Sequence, residues 1–334
     1  MTTKKSVLII YTGGTIGMYK SARGNLKAFN LENLHSKIPE LNATDINLKT
    51  VSIQQAIDSS NMTRHEWAEL ASIIQKNYQN YDGFVILHGS DTMAFTASAL
   101  SFMLENLTKP VILTGAQLPI GVRRTDAKEN IITSIEIAAE GKVPEVCVYF
   151  EYRLLRGNRS TKTSSEHFEA FKSPNFIPLA EAGLKIKYSP IKYTQHQSPF
   201  KVNSCLSDEV MHIKLFPSMK KDYICTLLDL PYKGLILETF GAGNAPTAKW
   251  FIDCLKKNLA RGKIILNITQ CHSGNVSQGL YETSSMLETM GVIGGKDMTT
   301  EAALTKLMFL LGQEYSNEQI NQLLTISLRG ELSN

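Results

Sequence analysis

Cysteine is scarce in this sequence and shows no pairing pattern. The 334 residues include only five cysteines, an odd number, and they are well separated along the chain. A disulfide framework or a zinc ribbon needs several cysteines at short, recognisable spacings, so both are disfavoured. Reduced thiols in a cytoplasmic protein are therefore expected at all five positions, Cys147, Cys205, Cys225, Cys254 and Cys271.

Long apolar runs are also missing. No stretch approaches the roughly 18 consecutive apolar residues that a membrane-spanning helix needs. At the N-terminus, Lys4 and Lys5 precede an apolar stretch that is too short for the core of a signal peptide and lacks a small-residue cleavage site. The sequence thus predicts a cytoplasmic protein with no membrane partner.

Neither sign of charge is in large excess. The formal net charge is +4, and basic residues cluster only in pairs such as Arg123-Arg124 and Lys256-Lys257. A nucleic-acid-binding surface usually needs a larger basic patch. We therefore expect no nucleic-acid partner.

Nucleotide-binding glycine motifs and metal-ligand clusters are absent as well. The stretch "GGTIGM" has glycines at 13, 14 and 17, which fits neither the dinucleotide fingerprint nor the phosphate-binding loop. The stretch "GAGNAP" comes closer, but Pro246 stands at its third glycine position, so a turn that feeds a helix is the favoured interpretation. No histidine or carboxylate cluster has metal-ligand spacing. We expect neither an organic cofactor nor a metal.

The order of strand-like and helix-like segments predicts an α/β fold in two parts. Apolar runs such as Val7–Tyr11 and Phe84–His88 alternate with amphipathic segments, the first of which opens with a capping box at Thr63 and Glu66. This alternation is typical of a parallel, doubly wound sheet. Prolines and polar residues at 185–210 break the pattern, and a smaller α/β unit follows. The predicted parts are a larger N-terminal domain at 1–190, a linker at 191–211 and a C-terminal domain at 212–334.

What the sequence does contain is polar residues directly after buried strands. Thr15 follows Gly13 and Gly14 at the end of the first strand, and Ser90 and Asp91 follow "FVILHG". Loops at the carboxyl ends of parallel strands are where open α/β sheets bind ligands. Taken alone, each motif has a plainer interpretation, in which the glycines shape a tight turn and the polar residues cap the next helix.

Two residues are candidate bases for these hydroxyls. Lys162 lies in the polar segment "RGNRSTKTSSE". A surface lysine is the ordinary interpretation, whereas a lysine in a partly dry site beside a hydroxyl can take its proton. His88 is the poorer candidate because no Gly-x-Ser-x-Gly turn accompanies it, and we expect it to be a packed residue at the end of a strand.

Together, the motifs resemble those of a known family. The stretches "YTGGTIGM", "DSSNMT", "HGSDTM", "TGAQLP", "RGNRSTK", "GAGNAP" and "TQC" occur in the order and at about the intervals found in asparaginases of bacterial type. The similarity is strongest to cytosolic type I L-asparaginases and extends from Val7 to "LRGEL" at 328–332. It implies an amidohydrolase that converts L-asparagine to L-aspartate and ammonia without metal or organic cofactor. It also implies a homodimer or a homotetramer.

The resemblance further implies a role for each polar residue. The resemblance implies that Thr15 corresponds to the family's nucleophile. That nucleophile attacks the side-chain amide carbon of the substrate, so that ammonia is released and an aspartyl ester stays on the enzyme. Ser90, Asp91 and Lys162 correspond to the groups that relay protons and activate the deacylating water. Backbone N–H groups near residues 90 and 116 would stabilise an oxyanion. The substrate-binding residues of the family correspond to Asp58, Ser59, Ser60, Ser90 and Asp91.

Three positions depart from the family pattern. Ser90 stands where threonine is usual, which keeps the hydroxyl but adds rotamer freedom, at an expected cost of about 1 kcal/mol or less. The lid after the first motif usually carries a tyrosine, and the aligned residue here is Asn25, with Tyr19 in the same segment as a possible substitute. Glu238 stands where type I members with an effector-asparagine site have an arginine, which disfavours allosteric control.

Two other functions stay open at this point. One is hydrolysis of a different amide, such as glutamine or a transamidation intermediate. The other is a non-catalytic amino-acid-binding protein that kept the pocket and lost activation of the nucleophile.

Overall fold

The computed structural model describes residues 4–20, 26–28, 38–43, 45–193, 197–279 and 282–333. Of residues 17–20, 26–28, 42–43 and 282–284 only the backbone is described. The chain divides into two units, Met1–Ser204 and Cys205–Asn334.

Strands alternate with helices along the first unit. The helices are α1 Arg64–Asn77, α2 Met93–Met103 and α3 Ala127–Glu140. Single turns of 3-10 helix lie at Thr15–Gly17, Ser59–Asn61 and Gly157–Arg159, and a longer one at Pro39–Ala43. The strands are β1 Lys5–Gly13, β2 Met18–Lys20, β3 Leu26–Ala28, β4 Ile46–Ile57, β5 Gly83–Leu87, β6 Leu104–Glu105, β7 Val111–Thr114, β8 Val146–Phe150, β9 Arg153–Arg156, β10 Thr161–Lys162, β11 Phe171–Lys172, β12 Ala180–Ala182, β13 Ile186–Tyr188 and β14 Lys201–Val202.

One sheet of eight strands forms the centre of this unit, in the order β13-β12-β9-β8-β7-β5-β1-β4. Five neighbouring strands of this sheet, β8, β7, β5, β1 and β4, are parallel to one another. This confirms the predicted doubly wound sheet. The edge beyond β8 is antiparallel, a feature that the sequence did not predict. Glu151 and Tyr152 join β8 to β9 with φ angles of 44° and 66°, so a two-residue turn reverses the chain without the glycine or asparagine that usually indicates one.

The strand order creates a topological switch point between β1 and β5. From β1 the chain goes first to β4 on one side, then crosses to β5 on the other side and continues outward to β7 and β8. In such sheets the helices after the two central strands lie on opposite faces, which leaves a crevice at the carboxyl ends of these strands. The loops after β1 and β5 carry Thr15 and Ser90.

Local sequence signals account for the ends of the helices. The predicted capping box of α1 is present, with the Glu66 carboxylate accepting the Thr63 N–H at 2.8 Å. The predicted end of α3 is also confirmed, because Gly141 follows it with φ 70° in the left-handed region that terminates helices. The predicted apolar face of α1 is buried against the sheet, as Trp67, Leu70, Ala71, Ile74 and Tyr78.

The second unit is a smaller α/β unit, as predicted. Its four strands pair in the order β15-β16-β17-β18 and are all parallel. The capping box at Ser316 and Gln319 is present. The fifth helix starts at Lys249, three residues after the start predicted at Pro246. The elements are β15 Val210–Lys214, α4 Lys221–Asp229, β16 Gly234–Thr239, α5 Lys249–Ala260, β17 Ile264–Thr269, α6 Glu282–Met290, β18 Ile293–Gly294, α7 Thr300–Leu311 and α8 Asn317–Thr325.

One expectation about the cysteines was wrong. The structure joins Cys225 on α4 to Cys254 on α5 in a disulfide, with the two Cα atoms 6.1 Å apart. The two residues are 29 positions apart in the sequence and become neighbours only because the two helices pack side by side. Neither their number nor their spacing could have shown this. Among the helices that the structure describes, none is long and apolar enough to span a membrane.

A fully buried ion pair attaches the C-terminal segment to the second unit. The Nζ atom of Lys306, on α7, lies 2.6 Å from Oε1 of Glu331, and both side chains are 0% exposed. Lys306 also donates to the carbonyl of Ile326 at 2.6 Å, and Glu331 accepts the N–H groups of Leu328 and Arg329. Burial lowers the pKa of Lys306, and the charge of Glu331 opposes that shift.

We expect Glu331→Gln to lower the free energy of unfolding by about 3 kcal/mol, because the Lys306 ammonium would stay buried without its counter-charge. Urea denaturation of the purified variant measures the change. The control is Glu209→Gln, which removes an exposed partner of Lys233 and should cost less than about 1 kcal/mol. Equal small losses in both variants would contradict the importance of the buried pair.

Candidate active site

Three loops of the first unit meet at the carboxyl ends of β1, β4 and β5. Gly14 lies so close to Gly89 that a Cβ atom on Gly14 would overlap the Gly89 backbone. A Cβ atom on Gly89 would in turn lie 2.5 Å from Oγ of Ser59. Only residues without side chains allow this approach, so the loops after the three strands are in direct contact.

Thr15 is held at the switch point by the end of β1. Gly13 and Gly14 have φ angles of 118° and 82°, which side-chain-bearing residues rarely adopt, and they turn the chain into the short helix Thr15–Gly17. Oγ1 of Thr12 donates to the carbonyl of Leu87 at 3.1 Å, which ties the end of β1 to the end of β5. Thr15 itself is half-buried.

A row of hydrogen bonds connects the other three predicted catalytic residues. Nζ of Lys162 donates to Oγ of Ser90 at 2.9 Å and to Oδ1 of Asp91 at 2.7 Å. Lys162 lies on β10, which pairs with β11 in a short hairpin. Its side chain is 18% exposed, whereas that of Asp91 is 67% exposed. Lys162 is therefore half-buried and paired with a hydroxyl and a carboxylate, which favours the interpretation as a site residue.

Gln117 is a site residue that the sequence reasoning did not single out. Oγ of Ser90 donates to Oε1 of Gln117 at 3.3 Å, and Nε2 of Gln117 donates to the carbonyl of His167 at 3.0 Å. The carboxylate of Asp126 accepts the N–H groups of Gln117 and Leu118 and so fixes the loop after β7. Its position in "TGAQLP", directly after a buried strand, is the signal that could have identified Gln117.

The predicted substrate-binding segment lies in the loop after β4. Oδ1 of Asp58 accepts the N–H and the hydroxyl of Ser60 at 2.9 and 2.8 Å. Both bonds lower the pKa of Asp58, and the bond from the N–H has the larger effect. Ser59 is buried, and its carbonyl accepts the hydroxyl of Thr92 at 2.6 Å. Thr92 occupies the N-cap position of α2 but makes this contact and does not cap the helix.

His88 is buried as expected, in a defined hydrogen-bonded chain. Nδ1 of His88 lies 2.7 Å from the carbonyl oxygen of Gly89, which can only accept, so Nδ1 carries the ring proton and donates it there. In the neutral ring Nε2 then accepts the hydroxyl of Thr96 at 2.9 Å, and Oγ1 of Thr96 accepts Nε1–H of Trp67, also at 2.9 Å. Burial lowers the pKa of His88 to about 4. This neutral imidazole fixes the peptide that leads into Ser90.

The other positions that departed from the family pattern lie elsewhere. Asn25 is outside the described residues, and Tyr19 is described by its backbone only. Glu238, on β16 of the second unit, has its carboxylate bound to Nε2 of His212 at 2.8 Å and to Nζ of Lys214 at 2.7 Å. The acidic group at this position therefore has two local partners from β15.

The site brings together a loop that carries the Thr15 hydroxyl and a loop on which Ser90 and Asp91 contact Lys162. Acyl transfer needs groups of this kind, namely a hydroxyl nucleophile and a nearby group that moves protons. Residues 6–193 match the family described as "Asparaginase, N-terminal", and residues 209–324 match the "Glutaminase/Asparaginase C-terminal domain". This chain belongs to the asparaginase family. The resemblance read from the motifs is thereby confirmed.

Individual asparaginases match over nearly the whole chain. L-asparaginase 1 of Escherichia coli (strain K12) is 43% identical over 333 residues, which are 99% of this chain and 98% of that protein. The crystal structure of L-asparaginase I from Vibrio cholerae O1 biovar eltor str. N16961 has a TM-score of 0.92 and 41% identity, covering 99% of this chain and all of that one. The thermostable L-asparaginase from Thermococcus kodakarensis has the same TM-score at 30% identity, covering 98% of this chain and 99% of that one.

His88 gives this asparaginase a predicted pH dependence of stability. Its pKa is about 4 in the folded protein and about 6.5 when unfolded, so between these values only the unfolded chain binds the proton. The free energy of unfolding should fall by about 3 kcal/mol as the pH is lowered from 6.5 to 4. Urea denaturation across this range measures it.

The matched variants are His88→Gln and His65→Gln, since His65 is exposed on α1. We expect His88→Gln to have a flatter dependence than the wild type, and His65→Gln to follow the wild type. An unchanged slope in His88→Gln would contradict the assignment.

Proposed function

We propose that Thr15 is the nucleophile through which this enzyme acts. The enzyme is an amidohydrolase of the asparaginase family that converts L-asparagine to L-aspartate and ammonia. The observation that carries the proposal for its mechanism is the row Asp91, Lys162 and Ser90, on loops in contact with the loop that presents Thr15.

In the proposed first step, Oγ1 of Thr15 attacks the carbon of the substrate's side-chain amide. The proton of Thr15 passes to the Ser90 and Lys162 pair and from there to the leaving nitrogen, which departs as ammonia. Backbone N–H groups near residues 90 and 116 stabilise the oxyanion, and the Gly89 carbonyl held by His88 keeps this backbone in place. The product of this step is an aspartyl ester on Thr15.

In the second step, a water molecule attacks the ester carbon, the bond from that carbon to Oγ1 of Thr15 breaks, and L-aspartate leaves. Ser90 takes the proton of the water as it passes its own proton on to Lys162. The Ser90 and Lys162 pair then returns the proton taken from the water to Oγ1 of Thr15. Lys162 donates to both Ser90 and Asp91 in this structure, so it acts as a base once one of its protons has moved to Asp91 or to solvent. In this structure the Ser90 hydroxyl donates to Gln117, and it turns from Gln117 to Lys162 when it passes its proton on.

The charged ends of the amino acid would bind on either side of the reacting amide. The exposed Asp91 carboxylate suits the α-ammonium group. The Ser60 hydroxyl donates to Asp58 in this structure, so it binds the α-carboxylate only after it turns from Asp58 to the substrate. Ser59 and Ser90 complete the proposed substrate-binding set. Their backbone positions depend on the glycine contacts described above, which leave little room for a bulkier loop.

We also propose, from the resemblance, a cytoplasmic location and a homodimer or homotetramer, with no nucleic-acid partner. Size-exclusion chromatography with light scattering tests the assembly. Limited proteolysis tests whether 1–190, 191–211 and 212–334 behave as a domain, a linker and a second domain. Cleavage confined to the middle segment would support this division.

Thr15→Ala should lower the rate of ammonia release from L-asparagine by several orders of magnitude, up to about 10⁶-fold, because the ester cannot form. The assay follows ammonia from L-asparagine and, separately, from L-glutamine. Thr50→Ala, on β4 away from the loops, is the control and should keep full activity. Near-normal activity of Thr15→Ala would exclude Thr15 as nucleophile. No release by the wild type, with asparagine still raising its Tm, would indicate a binding protein.

Lys162→Met should lower kcat nearly as much as Thr15→Ala while leaving the Tm within a few degrees of the wild type, because methionine keeps the length and loses the charge. The matched control is Lys172→Met, since Lys172 is exposed on β11 opposite Thr161. The two kcat values, measured beside thermal melting curves, provide the comparison. A mild effect of Lys162→Met would place the lysine outside the proton relay.

A further inference from the structure

An open pocket borders the disulfide of the second unit. It has a volume of about 560 Å³, within the range of small-molecule sites. Cys254 is among its lining residues and Cys225 is not, so a molecule in the pocket would lie beside the Cys254 end of the disulfide. The lining residues are Lys221, Lys249, Trp250, Asp253, Cys254 and Lys257.

The lining is cationic. Three lysines face one carboxylate, and that carboxylate, Asp253, pairs with Lys249 at 2.8 Å. Lys257 also pairs with Asp229, which binds Arg261 as well. The remaining excess of positive charge attracts anions and favours the thiolate form of sulfur that leaves or enters here. The indole of Trp250 offers an apolar surface for the carbon skeleton of the same molecule.

We propose that Cys254 is a thiol–disulfide exchange site for anionic low-molecular-weight thiols, of which glutathione is the probe. The incoming thiolate attacks Sγ of Cys254, and a new S–S bond forms. The bond to Cys225 breaks with its electron pair on Sγ of Cys225, which takes up one proton from water. The incoming thiol has lost one proton to solvent, so atoms and charge balance and no oxidant is consumed.

The exchange removes the covalent link between α4 and α5. The disulfide closes a loop between positions 225 and 254, and such a closure stabilises the folded state mainly by restricting the unfolded chain. The two helices then stay in place through the ion pairs of Asp229 with Lys257 and Arg261 and through their apolar faces. These faces include Ile224, Leu228, Phe251 and Leu255. The Tm of the modified protein should therefore be several degrees lower.

The test compares thiols of opposite charge on the full-length protein. Reduced glutathione and the cationic aminothiol cysteamine are added at equal thiolate concentration, and peptide mapping by mass spectrometry follows the adducts over time. We expect the adduct on Cys254, a free thiol on Cys225, and a rate for glutathione about tenfold higher at low salt. The ratio should approach one at about 1 M salt, where screening is strong.

Two triple variants with the same loss of charge separate a local effect from a global one. Lys221→Gln/Lys249→Gln/Lys257→Gln should abolish the preference for glutathione, whereas Lys49→Gln/Lys76→Gln/Lys185→Gln, at exposed positions elsewhere, should keep it. Equal rates for the two thiols on the wild type, adducts on Cys225, or free thiols at both positions before treatment would each overturn the proposal. The comparison of the two thiols and the position of the adduct are measured on the wild type, so these three outcomes do not depend on any variant folding.

Discussion

The close backbone contact between Gly14, Gly89 and the Ser59 side chain is the constraint on which the site depends. It brings the loops after three strands within reach of one another, at the switch point between β1 and β5. A single methyl group at either glycine would separate them. The strand order supplies the crevice, and the glycine contacts hold the loops after β1, β4 and β5 together at it. The proposed mechanism depends on this arrangement.

Two kinds of polar network serve this arrangement. The chain from Trp67 through Thr96 to His88 is buried, neutral and fully directed, and it ends on the Gly89 carbonyl. The row from Asp91 through Lys162 to Ser90 is charged and opens to solvent at Asp91. The first network holds the backbone at Gly89 in place without carrying charge, and an uncharged network costs less to bury than a charged one. The second network carries the charges that the proposed proton transfer needs, and its Asp91 end is exposed.

The second unit is stabilised by different means. Its parallel sheet is covered by apolar helix faces, and its C-terminal segment is attached by the buried pair of Lys306 and Glu331. The Glu238 carboxylate contacts both His212 and Lys214. The disulfide joins the two helices that border the cationic pocket. Charge in this unit thus either neutralises itself in the interior or faces solvent, where small anions can reach it.

The sequence by itself determined the parallel strands, the helices that alternate with them and most of the candidate residues, because these depend on local patterns. The antiparallel edge of the sheet and Gln117 were not among them. Capping boxes, apolar runs, glycine turns and polar residues after strands lie within a few positions of each other. Only the tertiary structure decided which of them meet. Lys162 and Ser90 are 72 positions apart, Gln117 and Ser90 are 27 apart, and Cys225 finds Cys254 across 29. No local pattern encodes such partners, since the register of strands and the packing of helices bring them together.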